Sequence, residues 1–142
     1  MTKYYVVVAS LDHVQAAVAG GFIQANHGKR GPMTQLKAGD GIVCYAPRKT
    51  FGGTDAYQRF CALGEVAEGE AYIGEMGDKD FQPYRRDVVY ATGLRHADVH
   101  PLIDQLAFIT NPKKWGFPFM RGFFAISETD FNRIKTAMQY AA

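Results

Sequence analysis

The chain opens on an unbroken apolar run. Residues 4–9, Tyr-Tyr-Val-Val-Val-Ala, are aromatic or β-branched with no polar face, which predicts a central strand covered on both sides. The period then changes. Val14, Ala17 and Val18 recur at helical spacing behind Ser10, which stands where an N-cap belongs, and Gly20-Gly21 ends the helix. Phe22 follows in a short strand or extended loop. Pro32 takes a first-turn position in a brief helix reaching Lys37, with Met33 and Leu36 three apart. Gly39-Asp40-Gly41 turns the chain into a second strand that ends at Tyr45.

Residues 47–58, with Pro47, Gly52, Gly53 and Thr54, read as a loop that is long for a compact domain, and such loops usually carry function. A third strand over 59–66 is expected to pair with a strand around 71–73. A polar loop over 76–83 leads to a strand near 86–92. Helical turns follow Pro101, and a last strand covers 123–126. Ser127-Glu-Thr-Asp130 has the spacing of a capping box, opening a C-terminal helix with Phe131, Ile134 and Met138 inward. Five or six strands mixed with short helices, without regular βαβ alternation, predict an α+β domain that can curl into a small open barrel.

Composition narrows this further. A chain of 142 residues, 47% hydrophobic, buries enough surface for one domain spanning 1–142 without metal or disulfide staples. Cys44 and Cys61 lie inside apolar runs and read as small buried hydrophobes, which fits a reducing cytoplasm. No apolar run approaches the roughly 20 residues of a membrane span, so a membrane partner is not expected. The formal charge of +2 is too small for bulk attachment to nucleic acid. Its distribution matters more, because basic pairs sit at Lys29-Arg30, Arg48-Lys49, Arg85-Arg86 and Lys113-Lys114, each close to an aromatic residue.

Residues 20–30 combine a ring, Phe22, with Gln24, Asn26, His27 and the basic Lys29-Arg30. A stacking surface, an edge-reading amide and phosphate-seeking cations are what a nucleotide binder needs together. Phe22 is either a pocket wall or a core ring, and Tyr45 either a second wall or a rim aromatic. Ser10 caps the helix, with an edge contact as a second duty. His27 fixes its turn or meets a phosphate. Strand alternation sends one of Arg85 and Arg86 along the barrel and the other outward. Trp115, directly after Lys113-Lys114, is the exposed member of an otherwise core-forming aromatic cluster, and Arg121 is a candidate phosphate contact. His13 and His27 have no Cys or acidic partner at ligand spacing, which argues against a metal, and nothing points to a cofactor. Asp12-His13 and Asp98-x-His100 are acid–His neighbours without an activated Ser or Cys, so no catalytic residue is assigned.

Several motifs together resemble the EVE-domain proteins of the PUA-like superfamily, which also holds YTH and ASCH domains. They are Gly21-Phe22-x-Gln24-x-x-His27-Gly28-Lys29, Gly39-Asp40 before a strand ending Tyr45-Ala46-Pro47, Phe60-x-Ala62-x-Gly64, Pro83-Tyr84-Arg85-Arg86 and Trp115-Gly116-Phe117-Pro118-Phe119. The similarity runs through nearly the whole chain in order. It implies a PUA-like pseudobarrel and a non-catalytic domain that binds RNA or DNA carrying a modified base. Related YTH readers place an aromatic five residues before a His-Gly pair, as Phe22 stands to His27-Gly28, and that aromatic clamps the base. The resemblance thus implies Phe22 and Tyr45 flanking a base, Ser10, Gln24 and Asn26 reading its edges, and Lys29, Arg30, Arg86 and Arg121 on phosphates. Tyr5 departs from relatives that carry Trp there, which alters the pocket if the ring lines it and little if it is core. Two other readings stay open: a pocket for a free metabolite or nucleotide, and an ASCH-like hydrolase using His27 and Lys29.

Overall fold

A computed structural model describes residues 2–74 and 83–139. Strand β1 (Tyr4–Val8) is central as expected, pairing in parallel with β3 (Gly41–Arg48) and antiparallel with β8 (Phe123–Ile126). Its register sets Tyr5 opposite Ile42 and Val6 opposite Val43. Because side chains alternate across a strand, these residues feed two cores. Val6, Val43 and Tyr45 face helix α3 (Glu128–Gln139) and its Phe131, Ile134 and Met138. Tyr5, Val7, Ile42 and Cys44 face the side of α1 (Leu11–Gly20) and α2 (Arg30–Gln35), with Val14, Met33 and Leu36. Tyr5 is fully buried and stacks on Phe123 at 4.9 Å, so the Tyr found there is a core choice.

The remaining strands are β2 (Phe22–Ile23), β4 (Ala56–Val66), β5 (Tyr72–Ile73), β6 (Tyr84–Tyr90) and β7 (Ala97–Asp98). The sheet path is β2-β6-β4-β3-β1-β8, with β5 on β6 and β7 on β4. Register shifts between Cys44 and Tyr45 and between Ala46 and Arg48 mark bulges in β4, where Gln58 has φ +54. Bulges of this kind bend a strand, and here they curl the sheet into an open half-barrel. The expected pairing of the third strand with residues 71–73 is corrected: β5 pairs β6, and it is β6 that lies on β4. Gly64 permits that approach, since a Cβ there would stand 2.7 Å from the Val89 carbonyl. The expected 76–83 loop falls, but for Pro83, outside the described residues. The 47–58 loop is shorter than expected, because β3 and β4 extend to leave only residues 49–55 between them.

Candidate functional site

Where β1 and β3 end, beside α1, the sheet leaves an open cleft of about 950 Å³. Its walls come from residues 7–10, the inner face of α1 at His13, Val14 and Ala17, the turn 23–29, the end of β3 with the following loop at Arg48, Thr50 and Phe51, and residues 119–122. The lining is more apolar than polar. Among the described residues it contains Lys29, Arg48 and Arg121 and no acid. Such a volume is at the upper end of small-ligand pockets.

The turn 23–29 is unusual backbone. Asn26, His27 and Gly28 are consecutive left-handed residues with φ +50, +60 and +77. Two such non-glycine residues in a row are sterically disfavoured, and conformations of this kind gather at ligand clamps. The turn is closed by the Gly28 and Lys29 amides donating to the Ala25 carbonyl at 3.0 and 3.2 Å. The Tyr84 amide anchors it by donating to the Gly28 carbonyl at 2.9 Å. Opposite stands Gly122, φ +76, so close that any Cβ there would overlap the Asn26 side-chain oxygen. Glycine at 122 thus leaves the Asn26 side chain the place it takes in the cleft lining.

The exposed aromatic ring on this cleft is one that sequence reasoning missed. Phe51, 63% exposed, stacks on the His13 imidazole at 4.9 Å and 16°, and the His27 ring stands edge-on to it at 6.4 Å. Asp12 holds the loop in place. Its carboxylate accepts from the Ser10 hydroxyl, from the His13 amide at 2.9 Å and from the Phe51 amide at 3.3 Å, while the Asp12 amide donates to the Lys49 carbonyl at 3.1 Å. Burial works against the charged carboxylate. The bonds from Ser10, Phe51 and His13 outweigh it and hold Asp12 below the usual carboxylate range. The only early signal for Phe51 was its place in an over-long loop.

Of the expected contact residues, the cleft brings together Ser10, Gln24, Asn26, His27, Lys29 and Arg121. Ser10 sits at the N-cap of α1, but its hydroxyl goes to Asp12 instead of a helix amide. Gln24 accepts from the Arg85 side chain at 3.0 Å. Arg30, exposed in the first turn of α2, is not in the lining.

Four expectations are corrected. Tyr45 is 2% exposed and stacked on Phe119 at 4.0 Å; its neighbour Cys44 points to the cleft, so alternation turns Tyr45 into the other core. Burial, with Asp98 nearby, pushes its phenol well up, so it stays a neutral core ring. Phe22 is half-buried beneath the Arg85 guanidinium, 3.8 Å from its ring centre, and does not line the cleft. Arg86 is 6% exposed and donates to the Leu36 and Ala67 carbonyls at 2.7 and 3.2 Å, so it ties elements together instead of meeting phosphate. Trp115 is half-buried, edge-on to His100 and Phe119, and also outside the cleft. The acid–His neighbours are structural too. Asp98 and His100 close a local turn, the Asp98 carboxylate accepting the His100 amide at 2.9 Å and meeting its ring at 2.6 Å.

The model of the EVE domain family matches residues 3–137. A UPF0310 protein of Mesorhizobium japonicum is 42% identical over 140 residues, covering 97% of this chain and 93% of its own length. The UPF0310 protein YdcG of Bacillus subtilis is 36% identical, covering 96% and 92%. Among solved structures, the YTH domain of Zygosaccharomyces rouxii MRB1 in complex with N6-methyladenosine RNA superposes with a TM-score of 0.63 at 19% identity, covering 99% of this chain and 89% of that one. The Mmi1 YTH domain in complex with RNA gives 0.60 at 8% identity, covering 99% and 79%. The half-barrel described above is thus a PUA-like, YTH-type α+β fold.

Proposed function

The chain belongs to the EVE-domain family, and on that premise we propose that its cleft holds one modified base of an RNA or DNA strand. The observation that carries this reading is the convergence, in an acid-free cleft, of an exposed ring backed by an imidazole, two side-chain amides and three cations. Phe51 and His13 replace Phe22 and Tyr45 as the stacking wall. A base laid against Phe51 gains roughly 1–3 kcal/mol from stacking. A methyl on the base that leaves water for the apolar wall at Val14, Ala17 and Ile23 adds about 0.8 kcal/mol. Ser10, Gln24, Asn26 and His27 supply the donors and acceptors that read the base edge. Lys29, Arg48 and Arg121 stand at the rim for phosphates. The fold shared with YTH domains solved with RNA supports the same reading.

In this account the protein binds without altering its ligand. His13 is committed to Phe51, and Asp12 holds backbone amides instead of an imidazole. The test is a fluorescence-anisotropy titration with short single strands that differ only in one central base, modified or not. Wild type should prefer a modified strand, and Phe51→Ala should weaken that binding by about tenfold or more at an unchanged melting temperature. Equal binding by both proteins would remove Phe51 from the site. Tight binding of a free nucleoside, insensitive to salt and to strand length, would identify a metabolite site instead.

A further inference from the structure

Between Asp104 and Glu128, over residues 105–127, the sequence has no acid, while Lys113, Lys114 and Arg121 are all basic. This stretch folds as two short 3-10 turns, Pro112–Lys114 and Pro118–Arg121. Bonds three residues apart carry it, from the amides of Lys114, Phe117 and Met120 to the carbonyls of Asn111, Lys114 and Phe117 at 2.9, 3.0 and 3.1 Å. In such a helix residues three apart eclipse one another. Phe117 and Met120 therefore share a face, and both are conspicuously solvent-facing, 70% and 81% exposed. Below them Phe119 is buried against Tyr45 and Trp115, which fixes the segment to the core. Met120 and Arg121 also line the cleft, so the exposed face begins where the cleft ends.

An apolar face whose neighbours along the chain carry only positive charge suits a ligand that is itself aromatic and polyanionic. We propose that the Phe117–Met120 face is a track for single-stranded nucleic acid leaving the cleft. Bases next to the one held in the cleft stack on Met120 and Phe117, and Lys113, Lys114 and Arg121 meet the phosphates between them. The inference rests on the base-in-cleft reading and extends it: the ligand is a strand, and recognition spreads over flanking nucleotides of any sequence, because every base has a face to stack.

The test compares a fluorescein-labelled uridine mononucleotide with a labelled, unmodified oligouridine of about fifteen nucleotides at low salt. Wild type should bind the longer strand more tightly than its extra registers explain. Phe117→Ala, whose side chain is outside the cleft lining, should remove most of that gain, weakening the long strand by about fivefold or more and leaving the mononucleotide unchanged. Lys113→Ala with Lys114→Ala should flatten the salt dependence by about 1.4 in log–log slope, at about 0.7 per phosphate. All three side chains are exposed, so melting temperatures should stay at the wild-type value. A wild-type protein with no gain from length, or a Phe117→Ala protein that keeps it, overturns the track. A Phe51→Ala protein that binds the mononucleotide like wild type, with the length gain intact, counts against the cleft alone.

Discussion

Gly122 and Asn26 show how little slack the site has. Gly122→Ala places a Cβ on the Asn26 side chain and asks an L-residue to hold φ +76. A thermal melt should show destabilisation of about 1–2 kcal/mol. Ligand affinity should fall further than in Asn26→Ala, because the displaced amide then occupies the cleft. Equal stability of Gly122→Ala and wild type would mean that the two sides of the cleft are not in contact. At this scale the sequence was legible where a motif fixed a turn. Gln24, Asn26, His27 and Lys29 arrive in the cleft because Gly21 and Gly28 set the backbone on either side. It was opaque where parity decided. Nothing in Tyr45 itself says that β3 turns Cys44 toward the cleft and Tyr45 away, and Arg86 rather than Arg85 is the inward arginine of β6.

The elements that frame the site are held by two carboxylates with different exposure. Asp130 is buried, and its oxygens accept the Ala107 and Phe108 amides at 2.9 and 3.1 Å, while Ser127 Oγ accepts the Asp130 amide at 3.1 Å. The capping spacing was thus readable, but the acid serves a distant loop instead of returning to its own cap, which local sequence could not reveal. Asp130→Ala strands two donors and should lower stability by about 3 kcal/mol, with Asp130→Asn losing less. Asp12 is the exposed counterpart. Its folded-state pKa lies below its unfolded value, so the clasp on the Phe51 loop is complete above the unfolded value of about 3.9 and loosens as pH falls through the folded one. Hydrogen exchange at the Phe51 amide, corrected for its intrinsic pH dependence, should keep one protection factor from pH 7 to pH 5 and lose protection below about pH 4. Protection that is lost already near neutrality would mean that the Asp12 carboxylate does not hold the loop. The loop itself was visible in the sequence as a Gly/Pro-rich break. Its ring was not singled out, because bulges in β4 and the Asp12 contacts bring residue 51 back over α1 from far along the chain.

Among the described residues, the half-barrel carries a large cleft at the ends of β1 and β3 and a smaller cavity of about 440 Å³ beside the start of β1, with Gly39, Gly41 and Gly64 in its lining. The fold was recoverable from strand runs and turn motifs spread over the chain. The pairing of β5 was not, since a two-residue strand carries almost no pattern of its own. Few cations border the cleft, so affinity should be modest and its salt slope shallow, near −0.7 for each phosphate contacted. The central claim is that the cleft, and not the smaller cavity, takes the base. It is tested most directly by following backbone amide resonances during titration with a short strand carrying a modified base. The shifts should gather at Ser10, His13, Asn26, His27, Phe51 and Gly122. Shifts confined to Gly39, Gly64, Glu65 and Asn132, with the Phe51 and Asn26 amides unmoved, would contradict it.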